Sequence, residues 1–257
     1  MAPLGLGAGF YRLGGHSQQV YKGGFRFEDS TAVQASDHND FTIGWDKDDR
    51  DAAGMSIAIT MKFASWNGTT FGSGGIIGKT NEWAVHLTNG ALYFAVHDES
   101  ANKSQYWYLN KSSTEAAVLP NTYYHFVFRT GDNTKGIYID GVDMSSGSGT
   151  MTGFVADENL SSILYIGKAQ RLSQLSSSQT FSKIYVDDVV IWKSAALMTE
   201  TQLQAYYNLG AKRDPLNDSG DYDISDDVVA YWDFKDLTDS SGNGHTLSLS
   251  DGYAKFI

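Results

Sequence analysis

The sequence predicts an all-β protein, an antiparallel sandwich of two sheets that carries one short helix. Apolar and polar residues alternate along segments such as residues 55–63, which is the period of a strand. The two-residue turn signals Asn89-Gly90 and Asp140-Gly141 stand between neighbouring segments of this kind, as expected of hairpins. The 257-residue chain contains 27 Gly, 3 Pro and 19% charged residues, a balance typical of a turn-rich β protein.

The most distinct hairpin covers residues 121–142. Its first strand places Tyr124, Phe126 and Phe128 on one face and a mixed set of residues on the other. A polar turn over residues 131–136 leads into the β-branched and aromatic segment Ile137-Tyr138-Ile139. We therefore expect antiparallel pairing with one buried and one mixed face.

The remaining elements follow from the same patterns. Further strands are predicted at residues 55–63, 76–79, 82–87, 92–96, 106–108, 164–167 and 181–192. One helix is predicted after them, because Thr199 and Gln202 have the spacing of a capping box. Leu203, Tyr206 and Tyr207 follow at helical intervals, and Gly210 is expected to end the helix.

The two ends of the chain differ from the sandwich, which we assign to residues 25–210. Residues 1–24 form a Gly-rich N-terminal arm, whose apolar anchors are Phe10, Tyr11, Leu13 and Tyr21. Two interpretations of the arm stay open, a frayed terminus or a segment that becomes ordered on a neighbouring subunit. Residues 211–225 have the polar and acidic composition of a linker, and residues 226–257 contain a final strand segment.

Several of these segments resemble one known family. The hairpin ending in Ile137-Tyr138-Ile139-Asp140-Gly141, the strand Ile76-Ile77-Gly78-Lys79 and the strand Leu164-Tyr165-Ile166-Gly167 are similar to elements of laminin-G-like domains. Those domains belong to the concanavalin A-like lectin and glucanase superfamily. The resemblance implies a two-sheet antiparallel jelly roll.

One part of the resemblance stands in an unusual place. Residues 228–234 and the turn Asp239-Ser240-Ser241-Gly242-Asn243-Gly244 resemble the segment that opens such domains, but here they lie at the end of the chain. Either the jelly roll is circularly permuted and this strand completes its own sandwich, or the strand is donated to another protomer. We favour the permuted arrangement, since the preceding fifteen or so residues can cross a sandwich.

Composition and motifs argue against several functions. A net charge of −11 disfavours a nucleic-acid partner, because such binding relies on Lys and Arg. The chain has no Cys, which excludes thiol chemistry, and no apolar run long enough to span a membrane. Glucanases that resemble this fold use a pair of carboxylates, and the scattered Glu residues here do not form such a pair. We therefore expect no enzymatic activity. The six His residues show no metal-ligand spacing, and His125 in its aromatic strand is predicted to be structural.

Two kinds of site are predicted. The resemblance implies a structural Ca²⁺ held by Asp239, the backbone near Asn243, and Asp187 or Asp188, although the same turn could form without an ion. Sugar-stacking candidates are the aromatic residues near loops and in the short aromatic strand, namely Trp45, Trp66, Tyr106, Trp107 and Tyr108. Trp83, Trp192 and Trp232 lie in hydrophobic strands and are predicted to be core residues.

The functional expectation is a non-enzymatic structural or adhesion protein of a virion. The order of closing strand, helix, linker and reopening strand resembles lectin-like proteins of tailed phages. This resemblance implies capsid decoration at the virion surface, attachment to other virion proteins or to further copies through the N-terminal arm, and binding of host cell-surface glycans. The alternative is a free-standing bacterial carbohydrate-binding lectin module, extracellular or on the cell surface. Neither hypothesis involves nucleic acid or a membrane.

Overall fold

Two antiparallel β-sheets face each other in the computed structural model. The structure describes residues 24–27, 32–43, 54–64, 74–88, 90–98, 103–130, 136–149, 162–168, 184–194, 198–208, 213–251 and 255–256. Within these residues each sheet contains eight strands, which confirms the all-β sandwich predicted from the sequence.

The strands are numbered in chain order. Their bounds are β1 Phe25–Phe27, β2 Ala32–Ala35, β3 Gly54–Phe63, β4 Gly74–Lys79, β5 Trp83–Thr88, β6 Ala91–Asp98, β7 Lys103–Leu109, β8 Tyr124–Thr130, β9 Gly136–Ile139, β10 Val142–Asp143, β11 Gly147–Gly149, β12 Leu164–Ile166, β13 Ile184–Ser194, β14 Val228–Trp232, β15 Ser248–Asp251 and β16 Lys255–Phe256. Sheet A has the order β10-β9-β8-β3-β13-β1-β16, with β14 also paired to β13. Sheet B has the order β11-β7-β6-β5-β4-β12-β2-β15.

The main core lies between the two sheets. Alternate residues of β3 and β8 point inward from sheet A and meet the inward residues of β5, β6 and β7. The rings of Phe128 in sheet A and Phe94 in sheet B lie 6.0 Å apart. Trp83, Trp192 and Trp232 are all buried, as predicted.

A second apolar layer covers the outer face of sheet A. Val127, Val190 and Trp192 point outward from the sheet and pack beneath Leu203 and other buried side chains. Both faces of the central hairpin strand are therefore buried, whereas the sequence predicted one buried and one mixed face. The Asp140-Gly141 turn, which follows β9, forms as predicted, with positive φ at Asp140 (52°) and Gly141 (77°).

The acidic segment predicted as a linker is part of this second layer. Tyr222 is fully buried, donates its hydroxyl proton to the carbonyl oxygen of Pro215 (2.7 Å) and accepts a hydrogen bond from Nε1 of Trp192 (3.0 Å). The buried side chain of Tyr222 thus attaches this segment to sheet A, although its polar composition suggests a linker.

Two short α-helices are present in the described part of the chain. The predicted helix, α2, spans Glu200–Tyr207; it begins with the capping box of Thr199 and Gln202 and ends at Asn208, whose φ is 43°. Helix α1, Lys111–Ala117, was not predicted, because Thr114 is its one buried residue and an apolar period is missing. Its start is fixed by Asn110, whose side chain accepts a hydrogen bond from the Ser113 N–H. Neither described helix has the length and apolar character needed to cross a bilayer.

The C-terminal segment adds strands to both sheets of its own chain. Strand β1 pairs with residues 184–186 of β13, and β14 pairs with residues 189–192 of the same strand. Strand β15 then pairs with β2 in sheet B, and β16 pairs with β1 in sheet A. The side chains of Trp232 and Phe234 are buried in the main core. This is the arrangement expected of a permuted jelly roll.

Candidate functional site

Three tyrosines form a contiguous aromatic surface on the outer face of sheet B. Tyr93 of β6 lies directly opposite Tyr108 of β7, and their rings stack with centroids 5.7 Å apart at 28°. Tyr106, two residues before Tyr108 on the same face, meets Tyr93 edge-on at 5.9 Å. We call Tyr93, Tyr106 and Tyr108 the tyrosine face.

His86 of β5 extends this stack across the sheet. It lies opposite Tyr93, and the two rings are nearly parallel, 7° apart in angle and 5.3 Å between centroids. Burial lowers the pKa of His86 to about 4, so its imidazole is neutral at physiological pH. Burial and the neighbouring Tyr106 and Tyr108 raise the pKa of Tyr93. His86 and Tyr93 are therefore both uncharged near neutral pH.

A glycine allows Tyr108 to lie across the edge strand. Gly147 of β11 pairs with Tyr108, and a Cβ at this position would stand 2.8 Å from the Tyr108 hydroxyl oxygen and 2.9 Å from Cζ. Real Cβ atoms do not approach that closely, so any side chain here would displace the ring. The orientation of Tyr108 thus depends on a small residue in the neighbouring strand.

Exposure of this face differs between neighbouring strands. Tyr106 is 37% exposed, while Ala95 and Ala84, its cross-strand neighbours on the same face, are 3% and 2% exposed. Trp107 points to the opposite side of the strand and is 1% exposed in the core. Its predicted role in sugar stacking is therefore wrong, because alternation along the strand places its ring inside the sandwich.

The other aromatic candidates fare differently. Trp45, Trp66 and the arm anchors Phe10, Tyr11, Leu13 and Tyr21 lie outside the described residues. Tyr93 and His86 were missed, although the Asn89-Gly90 turn carries a usable signal. A two-residue turn at these positions pairs Thr88 with Ala91 and therefore His86 with Tyr93.

The predicted calcium ligand Asp239 takes part in the hydrogen bonds of its own turn. Asp239 Oδ1 accepts hydrogen bonds from the N–H groups of Tyr231 (3.0 Å) and Ser241 (2.9 Å). Its Oδ2 accepts from Ser241 Oγ (2.8 Å) and from the N–H of His245 (3.0 Å). A carboxylate offers about four lone-pair positions, and these contacts use all of them. Burial raises the pKa of Asp239, but the hydrogen bonds outweigh it and the pKa is lowered.

The other two predicted ligands also have structural surroundings. The amide nitrogen of Asn243 donates to the carbonyl oxygens of Val228 (3.2 Å) and Val229 (3.1 Å), which fastens the turn to β14. Asp188 is fully buried in β13, and its charge raises the pKa values of Tyr206 and Tyr231, for which burial is the larger cause. The turn at residues 239–244 is therefore held by its own hydrogen bonds.

A different polar group is brought together by the fold. The metal-ligating atoms of His38, Asp40 and His245 all lie within 4.8 Å of one another. Among the described residues this is the one such trio of His or acidic side chains, and it contains neither Asp188 nor Asp239. Sequence spacing missed it, because His245 lies more than two hundred positions from the other two.

The two packed antiparallel sheets define a jelly-roll sandwich. A sequence profile of the laminin G type, described as the concanavalin A-like lectin/glucanases superfamily, matches residues 28–202. The chain belongs to this superfamily. No curated protein matches the sequence significantly.

Solved structures of similar fold include receptor-binding domains of bacterial toxins. The binding domain of botulinum neurotoxin serotype G aligns with a TM-score of 0.51 and 13% identity, over 73% of this chain and 42% of that one. The binding domain of serotype C1 aligns with a TM-score of 0.48 and 14% identity, over 72% and 43%. A third structure concerns botulinum neurotoxin type C, whose cell entry depends on interaction with two ganglioside molecules. It aligns with a TM-score of 0.44 and 13% identity, over 74% of this chain and 47% of that one. The chain thus spans less than half the length of these proteins, and the likeness concerns the fold.

Proposed function

We propose that this protein is a non-catalytic adhesion protein that binds cell-surface glycans through the tyrosine face. The observation that carries the proposal is the contiguous and partly exposed set of rings at Tyr93, Tyr106 and Tyr108. The C–H groups of a sugar ring pack against an aromatic ring, and a Tyr hydroxyl provides a hydrogen bond at its edge. Membership of a lectin-containing superfamily supports the same function.

The composition of the tyrosine face favours binding over hydrolysis. Most glycoside hydrolases use two carboxyl groups on either side of the scissile bond, about 5–9 Å apart. The tyrosine face consists of phenol rings on a neutral imidazole, and none of these groups can act as the carboxylate nucleophile or the carboxylic acid. The proposed activity is therefore recognition without turnover.

The finer proposal is that the protein sits on a phage-type particle. It rests on the Gly-rich arm and on the resemblance to lectin-like proteins of tailed phages. In this proposal the arm of residues 1–24 attaches the jelly roll to other virion proteins, and sheet B presents the tyrosine face to the host. A free-standing lectin module would use the same face without an attachment arm.

A glycan array and titration calorimetry test the binding site. We expect wild-type protein to be retained by a subset of glycans, and Tyr106→Ala and Tyr108→Ala to weaken that binding at least tenfold, which corresponds to about 1.4 kcal/mol. Tyr185→Ala is the control, because Tyr185 is a half-buried tyrosine on sheet A. Failure to retain any glycan, or equal weakening by the control, would overturn the proposal.

Deleting residues 1–24 separates the two versions of the function. If the arm attaches the protein to a particle, the deletion variant binds glycans normally and no longer assembles with virion proteins. If the wild type and the deletion variant both bind glycans and neither assembles with virion proteins, the free-standing lectin is correct.

A further inference from the structure

We propose that His38, Asp40 and His245 form a binding site for a divalent transition-metal ion of the zinc type. The Asp40 Oδ2 atom lies 2.8 Å from His245 Nε2 and 3.1 Å from His38 Nδ1. The two imidazole rings meet at 63° with centroids 4.6 Å apart. Donor atoms from two separate parts of the chain thus lie within 4.8 Å of one another.

The contacts of His38 Nδ1 favour an ion at this point. The Asp40 N–H donates to Nδ1 at 3.2 Å, so this nitrogen is unprotonated, and an ion bound there would replace that hydrogen bond at its one lone pair. The same nitrogen lies 3.1 Å from the Asp40 carboxylate, and such a contact between two lone-pair donors is repulsive. Either a proton or a metal cation shared by the two atoms removes this repulsion, and the Zn²⁺ titration below distinguishes between them.

The distances suit a small first-row cation. Ligand atoms about 2.0–2.1 Å from a tetrahedral ion lie about 3.3 Å from one another. The observed separations of 2.8 and 3.1 Å require only small shifts of side chains to reach that value. Two imidazoles and one carboxylate are typical zinc ligands, whereas Ca²⁺ prefers an all-oxygen shell.

The surroundings hold the ligands on one side and leave the site open on the other. The His245 side chain is 7% exposed and packs against the ring of Phe41 at 4.6 Å. Its backbone is fixed by the N–H bond to Asp239 and by a hydrogen bond from Trp232 Nε1 to its carbonyl oxygen (2.8 Å). The His38 side chain is 53% exposed, which leaves room for a water molecule in the fourth position.

The position of the site suggests its effect. His38 and Asp40 follow strand β2, while His245 ends the turn after β14. An ion bound by all three would fasten the C-terminal segment to the beginning of the sandwich. We therefore expect metal binding to stabilise the fold, because an ion bound only by the folded state shifts the folding equilibrium towards that state.

Titration of tag-free, EDTA-treated protein with ZnCl₂ tests the site. We expect one Zn²⁺ per chain by calorimetry, a rise in melting temperature of several degrees, and no competition from millimolar Ca²⁺. His38→Ala and Asp40→Asn should each weaken Zn²⁺ binding at least tenfold and abolish the thermal shift. Both substitutions are at accessible side chains, so folding of the variants can be checked independently by circular dichroism.

Asp236→Asn is the matched control, since Asp236 is an exposed carboxylate on a neighbouring loop. The proposal is wrong if Zn²⁺ does not bind stoichiometrically, or if binding is unchanged in His38→Ala and Asp40→Asn. It is also wrong if Asp236→Asn weakens binding as much as they do. None of these outcomes depends on whether the tyrosine face binds a glycan.

Discussion

A buried lysine at the end of β4 shows how single residues determine the electrostatics of this protein. Lys79 Nζ lies 2.6 Å from Thr42 Oγ1, 2.7 Å from Glu82 Oε1 and 3.2 Å from Asp37 Oδ1. The side chains of Lys79 and Glu82 are 0% and 1% exposed. Burial raises the pKa of Glu82 to about 7, although Lys79 acts in the opposite direction.

Glu82 and His86 have opposite effects on stability between pH 4 and 7. The folded-state pKa of Glu82 is raised from 4.5 to about 7, so the folded protein loses stability as pH rises through this interval. The pKa of His86 is lowered from 6.5 to about 4, so stability is lost as pH falls through that interval. The two contributions oppose each other where their intervals overlap, between pH 4.5 and 6.5.

In Glu82→Gln, the contribution of His86 to the pH dependence of stability should no longer be opposed by that of Glu82. Because the variant has no carboxyl group to ionise, we expect its stability relative to wild type to rise with pH between 4.5 and 7, by on the order of 3 kcal/mol. Urea unfolding at several pH values measures this difference. Glu115→Gln, an exposed substitution on α1, is the control and should run parallel to wild type. Parallel curves for Glu82→Gln as well would contradict the prediction.

At the scale of elements, helix α2 depends on its cap and on its buried face. The N–H of Gln202 donates to Thr199 Oγ1 (3.2 Å), and the N–H of Thr199 donates to Gln202 Oε1 (2.7 Å). The helix has eight residues, which is too short for stability in isolation. Leu203 and Tyr206 anchor it on the outer face of sheet A.

Thr199→Ala should lower the free energy of unfolding by about 1 kcal/mol, since one N–H group at the helix start loses its acceptor. Thr199→Ser keeps a hydroxyl and should remain within a few tenths of a kcal/mol of wild type. Chemical denaturation measures both differences. Equal stability of the Ala and Ser variants would mean that packing alone holds α2 in place.

The elements also show which features were predictable from local sequence. Alternation in residues 55–63 and the Asp140-Gly141 turn are local signals, and they correctly predicted strand β3 and the β9–β10 hairpin. Helix α1 was missed because its sequence has no apolar period. The packing of Tyr222 was missed because it depends on Trp192, thirty residues away, rather than on its acidic neighbours.

At the scale of the whole molecule, the tyrosine face and the His38, Asp40 and His245 group depend on the order of the strands in the sheets. That order cannot be read directly from a single sequence. The tyrosine face requires β6 and β7 to be neighbours in the correct register, and its edge requires Gly147 of β11 beside Tyr108. Hairpin turns supply part of this information. The meeting of His245 with Asp40 requires the C-terminal segment to return to the beginning of the sandwich, which was predicted from the resemblance of residues 228–244 to a domain opening and not from strand periods.

This return makes the C-terminal segment a structural part of the jelly roll. Trp232 is fully buried between the sheets, its ring lies 6.0 Å from that of Phe41, and its Nε1 donates to the carbonyl oxygen of His245. It therefore connects β14 with the turn that carries His245 and with the segment after β2. Loss of this side chain should weaken the attachment of the segment to both sheets at once.

Trp232→Ala should lower the free energy of unfolding by about 3–5 kcal/mol, because it leaves a large cavity in the main core. Trp232→Phe retains a ring but removes the Nε1 donor, and we expect an intermediate loss that includes about 1 kcal/mol for that hydrogen bond. Urea unfolding of the two variants beside wild type measures the order of their stabilities.

A chain ending after residue 208 should not unfold cooperatively, since it lacks β14, β15, β16 and the side chains that cover Trp192. If that truncated chain melts at the wild-type temperature, the C-terminal strands contribute nothing to the core, and the permuted jelly roll is not the folding unit.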